Sequence, residues 1–450
     1  MFTGSGVGDS AAFLYFAFLL LSYVMLDIKF IRENKDLIEM AAKKKRIDFN
    51  VSELISLDDE RLAVLSVVEG KRAEQRRKGS QITASKDDTK RRLFVEEMRA
   101  LKGGLQEEEE KLKTIMKKWQ ALMLTVPNIP DMSVPEGDDE SENVEAYVWG
   151  EKRQFDFPVK NHMELMRELD MVDFERGAKV HGFRGYFLKG DGAELSWALL
   201  NYARSFFGKR NFTPFIAPSI LRKEYFYGTG HLPKEADDLF KTQDDDYLSG
   251  TAEVPMMAYH SDEILKEGEL PKRYLAFSPC FRREAGSHGK DMKGLIRVHE
   301  FYKIEQLVLC QADHALSAEI HEELNKNFED FLQSLGIPFR RLLICTGDLS
   351  ASKVKQYDTE CWFPSQNAYR ELSSASYYHD FQSRRFNIRY FDGEKNRHVH
   401  SLNSTAVATP RIITAIVENF QQADGSVVVP KVLEPFMGKS VIESLVSKKV

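Results

Sequence analysis

The chain has 450 residues, with 63 lysines and arginines against 69 aspartates and glutamates, a formal net charge of −6. That length holds two or three domains with sizeable cores, and the mild acidity excludes a general polyanion binder while leaving room for local basic patches. The four cysteines, Cys280, Cys310, Cys345 and Cys361, form no CxxC pair, which argues against a structural zinc site or a disulfide framework and for a reduced intracellular compartment.

Residues 11–26 are an apolar run, AAFLYFAFLLLSYVML. It falls a little short of the ~20 residues of a spanning helix, and no Lys or Arg precedes it, unlike a secretory signal peptide. Residues 1–24 read as an upstream extension not normally translated, a membrane or targeting segment, or an extra packed helix.

Residues 52–126 are helical in character. Met98, Leu101, Leu105, Leu112, Ile115, Trp119, Leu122 and Val126 follow a heptad seam. Leu54, Leu57, Leu62, Val64, Leu65 and Val68 supply an apolar stripe upstream, which then turns polar. A tip over 79–88 predicts two helices folded back as an antiparallel hairpin. Lys71, Arg72, Arg76, Arg77, Lys78, Lys86, Lys90, Arg91 and Arg92 cluster toward that tip. A solvated face or an oligomerisation coil carries similar charge. The seam fades where the cations gather, which favours contact with phosphates over packing. The acidic, proline-bearing stretch 131–146 is expected as a linker, and a second domain is expected over 147–450.

In that domain, helices are expected over His162–Phe174, Ala193–Arg210 and Ser317–Leu335, the last stopped by Gly336 and Pro338. Strands are expected over 182–188, 212–218 and 339–345. Thr251 is a candidate N-cap ahead of Glu253. Residues 277–306, FSPCFRREAGSHGKDMKGLIRVHEFYKIEQ, read as two strands joined by a long loop carrying Gly286, Gly289, Gly294, Lys290, Lys293 and Arg297. Strand alternation puts Arg282 with Glu284 on one face, and Phe301 with Lys303 and Glu305 on one face. A guanidinium, a flat ring and a carboxylate suit a nucleotide and an amino acid, although an ordinary charged hairpin would look alike. Thr409 and Pro410 suit the N-cap and first position of a helix. Arg411 then sits in a first turn that disfavours a cation by roughly 0.3–1 kcal/mol, a cost that a bound triphosphate would offset.

The 277–306 stretch resembles motif 2 of class II aminoacyl-tRNA synthetases in its seryl-tRNA synthetase form: the Arg-Arg-Glu, the Gly-Ser-His-Gly loop and the KIEQ return strand stand in order. The 193–218 unit resembles motif 1, and HSLNSTAVATPRIITAIVENFQ, residues 400–421, resembles motif 3. MLDIKFIREN from Met25 is similar to the family's usual start, which favours the untranslated-extension reading of 1–24. The resemblance implies an α+β fold, an antiparallel sheet flanked by helices and preceded by a coiled-coil arm over 25–130. It implies a cytoplasmic homodimer that uses ATP and Mg²⁺ to attach L-serine to tRNA(Ser), and to tRNA(Sec) where present.

The family match assigns Arg282 and Arg411 to catalysis. ATP would be held by Arg282, Arg283, Glu284, Val298, His299, Glu300, Phe301, Glu371, Leu372, Ser373, Ser374 and Arg411, with Mg²⁺ on Glu371 and Ser374. Serine would be held by Thr251, Ala252, Glu253, Arg282, Glu305, Asn403 and Thr405. Arg72, Arg76, Arg77 and Lys78 would bind tRNA. The sequence departs from the family pattern at Ala375-Ser376-Tyr377-Tyr378, where a Cys-Ser-Asn-Cys type is common. The other readings are a non-catalytic paralogue, a coiled-coil scaffold, and an enzyme that charges a carrier protein; the intact motifs speak against the first two and the arm against the third.

Overall fold

A computed structural model describes residues 26–285 and 294–443. The apolar run through Met25, most of the motif 2 loop and the last seven residues lie outside the described residues. Among those described, no helix is long and apolar enough to cross a membrane. The chain divides into two units, one ending at Lys43 and resuming over Ile47–Pro127, the other formed by Lys44–Arg46 and everything from Asn128 onward.

The first unit is helical: α1 (Ile28–Glu33), α2 (Lys35–Lys44), α3 (Val51–Ala84) and α4 (Asp88–Thr125). At ~1.5 Å per residue the two long helices run roughly 50–57 Å. Asn50 caps α3 by accepting the Glu53 N–H at 3.0 Å, and Asp87 caps α4 by accepting from Thr89 at 2.9 Å. The turn is therefore Ser85–Asp87, and α3 runs through Gly79 and Ser80, which were expected to break it. A helical glycine costs only ~1 kcal/mol against alanine, whereas Ser85 and Asp87 supply the turn and the cap. Val64, Val68, Leu105, Leu112 and Ile115 form the seam's core. Farther down α4, Met123 is 1% exposed and Leu122 only half-buried, because 3.6 residues per turn drift off a strict heptad. Leu62 lies outside the seam, 46% exposed. Asp58 is 1% exposed yet paired, with Arg32 and Arg61 each 2.7 Å away, as a buried carboxylate requires.

The second unit is built on an eight-stranded sheet. Its strands are β1 (Val144–Trp149), β2 (Thr213–Ile216), β3 (Lys272–Phe281), β4 (Glu300–Cys310), β5 (Phe339–Leu343), β6 (Lys355–Phe363), β7 (Ala368–Tyr377) and β8 (His400–Ala408). They lie in the order β1-β5-β6-β7-β8-β4-β3-β2. Every pairing is antiparallel except that of β2 with β3. Helices α5 (Asp191–Gly208), α7 (His314–Leu335) and α8 (Thr409–Asn419) share one core with the sheet, including Leu199, Phe207, Phe328, Phe331, Ile412 and Ile416. A short helix, α6 (Glu253–Ala258), precedes β3. Period-two alternation sends Ile304, Val308 and Cys310 of β4 into that core and leaves Lys303 and Glu305 on the opposite face.

Residues 131–146, expected as a linker, are tied into this unit instead. Thr346 N–H donates to the Pro135 carbonyl at 2.9 Å and Gly347 N–H to that of Gly137 at 2.9 Å. Val144 already begins β1, paired with Leu343. Acidity and proline content mark a segment without regular structure; they do not prevent its backbone from docking on a neighbouring loop. The helix expected to Phe174 spans His162–Glu168, and the strand expected over 182–188 reduces to Phe187–Leu188.

Candidate active site

The sheet face opposite the core carries a cleft lined by Arg282, Glu284, Arg297, Val298, Phe301, Lys303, Glu371, Thr405 and Arg411, among others. Four strands that are far apart in sequence bring these groups together, and their register decides which side chains look into the cleft.

Motif 2 supplies the first wall. β3 ends at Phe281, one residue before the arginine, so Arg282 and Glu284 are not placed by strand alternation as expected. Arg282 is fixed by its own N–H donating to the His299 carbonyl at 2.9 Å, and its guanidinium lies 3.3 Å from the Gly250 carbonyl. Glu284 adopts a left-handed backbone, φ 53°, and accepts from Arg297 Nη1 at 2.8 Å. The loop's turn, rather than pleating, returns both groups to one cleft. The Phe301 ring faces the Arg282 guanidinium, 5.5 Å from centroid to Cζ, so a flat face and a planar cation stand side by side. Arg283 is held apart, its N–H donating to the Asp238 carbonyl at 2.9 Å.

On β4, Glu305 is 2% exposed and fully engaged. Its Oε2 accepts from Thr251 Oγ1 at 2.6 Å, from Ala252 N–H at 2.6 Å and from Glu253 N–H at 3.1 Å. Its Oε1 lies 2.5 Å from Lys303 Nζ, which also donates to Thr251 Oγ1 at 3.3 Å. Burial pushes the Glu305 carboxyl up, but Lys303 and these donors outweigh it and hold it below the usual range. The sequence reading passed over Lys303 as a site residue. Its position two residues from both Phe301 and Glu305 was the available signal. The Lys303 ammonium rests between Glu305 and Thr251, so these two groups already form a seat for a cation. Thr251 bonds the Glu253 N–H at 3.2 Å, the cap-like contact expected of it, although Ala252 is the N-cap residue of α6.

Two bulges aim the remaining groups. Between β4 and β8 the register slips after Ile304, setting Glu305 opposite Thr405. Between β6 and β7 it slips at Leu372, so Glu360 pairs with Glu371 and Asp358 with Ser374. The extra residue reverses parity, and Glu371 and Ser374, three apart, come to one face. Ser374 Oγ is buried beside its strand partner Asp358, whose carboxyl it helps to stabilise in the charged form. Burial pushes the Glu371 carboxyl up, but the Arg411 and Arg282 guanidiniums pull it lower on balance. Burial, then the Glu371 charge, pushes the Asp358 carboxyl up. An acceptor-only carboxylate, a hydroxyl and a further acid behind them are hard oxygen donors of the kind that suit a divalent cation. Leu372 also lines the cleft, and Ser373 Oγ turns away to donate to the Thr405 carbonyl at 2.8 Å.

Arg411 stands in the first turn of α8. Its Nη1 donates to the Glu371 carbonyl at 2.7 Å and lies 3.4 Å from Glu371 Oε2. The cap differs from expectation: Ala408 is the N-cap and makes no side-chain cap bond, Thr409 is the first helical residue, and Pro410 follows. Thr409 Oγ1 donates instead to the Tyr302 carbonyl at 3.2 Å. Asn403 and Thr405, two residues apart on β8, share a face with this set.

The four arm residues divide. Arg72 is bonded to Glu109 Oε1 at 2.7 Å and Lys78 to Glu97 Oε2 at 2.6 Å, each across the hairpin. The Glu97 bond raises the Lys78 pKa. Arg76 and Arg77 are exposed and make no ion pair among the described residues.

The antiparallel sheet and its cleft agree with the class II synthetase core that the motifs resemble, and the comparisons with known proteins bear this out. Residues 239–420 match the tRNA synthetase class II core domain (G, H, P, S and T), and residues 25–130 match the seryl-tRNA synthetase N-terminal domain. The serine–tRNA ligase of Thermodesulfovibrio yellowstonii is 44% identical over 425 residues, 93% of this chain and 100% of the relative. That of Deinococcus radiodurans is 42% identical, covering 92% and 98%. Among solved structures, the seryl-tRNA synthetase of Pyrococcus horikoshii complexed with ATP superposes with a TM-score of 0.82 at 37% identity, covering 94% of this chain and 100% of that one. The cytoplasmic enzyme of Naegleria fowleri in complex with AMP gives 0.80 at 34%, covering 94% and 99%. The chain belongs to the seryl-tRNA synthetase family.

Proposed function

We propose that the cleft performs both halves of serine–tRNA ligation with residues 147–450 as the catalytic domain and the helical hairpin as the tRNA-gripping arm. The observation that carries the reading is the convergence of Arg282, Phe301, Lys303, Glu371 and Arg411 on one cleft, with Glu305 buried behind it and paired to Lys303. Serine's carboxylate oxygen attacks the α-phosphorus of ATP, the bond to the β-phosphate breaks, and pyrophosphate leaves. The tRNA 3′ hydroxyl then attacks the seryl carbonyl and AMP leaves. No protein nucleophile is needed, so the protein's work is positioning and charge stabilisation.

Arg282 spans the serine carboxylate and the α-phosphate, a task for a planar fork. Phe301 stacks on adenine, with Glu284 and the 298–300 backbone at its edge. Arg411 meets the γ-phosphate, which offsets the cost of a cation in that first turn. Glu371 and Ser374 would hold Mg²⁺, which supplies neutralisation of phosphate charge. The Glu305–Thr251 seat receives the serine ammonium, with Ala252 and Glu253 beside it, and this requires Lys303 to shift its ammonium toward the incoming carboxylate or phosphate. Asn403 and Thr405 receive the side-chain hydroxyl.

A homodimer through the motif 1 face is supported by exposed apolar groups there: Trp197 on α5 and Ile216 on the edge strand β2 are 61% and 85% exposed. Edge strands left bare in this way invite pairing. Sedimentation should give twice the chain mass, and Ile216→Asp should give monomer.

The direct test is ATP–pyrophosphate exchange. Serine should support it, and alanine should be rejected by about 10⁴–10⁵, the penalty for leaving a hydroxyl-binding site unpaired. Equal rates with the two amino acids would refute the pocket.

A further inference from the structure

β7 ends at Tyr377, and a second tyrosine, Tyr378, follows it directly. Tyr377 sends its hydroxyl to Asp131 Oδ2, 2.8 Å away. Tyr378, the next residue, is 3% exposed and donates its hydroxyl to Asn403 Oδ1 at 3.3 Å. Its carbonyl is held by Asn128 Nδ2 at 2.8 Å, so the ring is anchored from behind. Asn403 makes no other side-chain hydrogen bond among the described residues. An amide has one acceptor end and one donor end. Occupying the oxygen from behind leaves both N–H groups of Asn403 for whatever enters beside Thr405. The opposite wall is braced in the same way: Gln382 Nε2 donates to Glu253 Oε1 at 2.5 Å, and Ser401 Oγ donates to Gln382 Oε1 at 2.8 Å. Tyr378 lies between these walls: burial, then the Glu253 carboxylate, which shares the phenol's hydrogen bond with Asn403, keeps the phenol protonated, and Ser376 also bonds its oxygen.

We propose that Tyr378 is a positioning residue for amino-acid selection: its buried hydroxyl locks the Asn403 amide with the N–H donors facing the substrate's side-chain oxygen. This rests on the reading of Asn403 as part of the serine pocket. A locked donor pair rewards a substrate that carries an acceptor oxygen and penalises one that leaves the donors unpaired. Without the phenol oxygen, the amide rotates freely and the distinction weakens.

The experiment is serine- and alanine-dependent ATP–pyrophosphate exchange with the full chain and with Tyr378→Phe, after circular dichroism and thermal melting confirm that the variant is folded. Wild-type exchange is measured first; its absence with serine would sink the functional reading itself rather than this proposal. In Tyr378→Phe, KM for serine should rise about ten-fold while kcat falls less than three-fold and KM for ATP stays within two-fold. The serine-over-alanine ratio in kcat/KM should drop about ten-fold. Tyr378→Leu, which also lacks the hydroxyl, should show the same loss of preference. Folded Tyr378→Phe with wild-type KM and preference would overturn the proposal, as would equal losses for serine and ATP. Failure of both variants to fold would also overturn it, by making the tyrosine a residue that holds the fold.

Discussion

The helical hairpin and the active-site cleft are made in opposite ways. The hairpin's contacts follow helical periodicity along two long helices, and its caps lie at the helix ends. The cleft gathers groups from Thr251 to Arg411 on strands whose neighbours in space are far apart in sequence. In the hairpin, charge stands mostly at the surface, where an ion pair is worth little. In the cleft, Lys303 and Glu305 are nearly inaccessible and each depends on the other. The difference teaches where sensitivity should lie: single substitutions should disable the cleft, whereas the arm should lose function by increments or only when a length of it is removed.

The largest effect expected is at Arg282. Arg282→Ala should lower serine-dependent exchange by at least ~10³-fold, since a fork that stabilises transition-state charge is lost, while circular dichroism and sedimentation stay unchanged. Arg282→Lys should recover little, because an ammonium cannot bridge two oxyanions as a planar group does. Near-normal exchange by either folded variant would make motif 2 a structural hairpin.

Removing Arg72 through Leu101 and joining the helices by a short turn should sharpen the contrast. Serine activation should remain within about two-fold, and aminoacylation of tRNA should fall by roughly 10²-fold as the phosphate contacts go. A full aminoacylation rate from the shortened protein would reduce the hairpin to a structural coil.

Within the arm, the pairing of its cations makes a finer distinction. Arg76→Ala with Arg77→Ala removes two unpaired cations and should flatten the log–log salt slope of tRNA binding by ~1.4–1.8, at ~0.7–0.9 per contact. Arg72→Ala with Lys78→Ala should change it less, because Glu109 and Glu97 already neutralise those two. Equal slopes for the two double variants would show that the interhelical pairs open on binding.

The smallest effect expected is on stability. His321 is 1% exposed, stacks on Tyr357 and donates from Nε2 to the Ala375 carbonyl at 2.9 Å. Burial lowers its pKa to about 4, below the ~6.5 of an unfolded histidine. The folded state therefore binds fewer protons between those values. Its stability is complete above pH ~6.5 and declines as the pH falls toward ~4, by at most ~3 kcal/mol from this group. Urea denaturation across that range should show the slope, and His321→Asn should flatten it.

Much of this was legible in the chain. Heptad spacing marked the hairpin because burying one stripe of a long helix is a local demand. Motif order marked the class, since Arg282, Phe301, Glu305 and Arg411 had to stand in sequence for a sheet to gather them. Other features had no local signature. The turn at Ser85–Asp87 and the docking of 131–146 depended on which competing contacts were available after folding. The bulge at Leu372 that unites Glu371 with Ser374, and the slip that sets Glu305 against Thr405, are properties of strand register, which two partners set jointly. Lys303 was an ordinary basic residue until burial forced it onto Glu305. Residue identity decided which chemistry was available; the meeting of distant strands decided which groups became partners, because pairing and desolvation belong to the folded neighbourhood and not to any one stretch of chain.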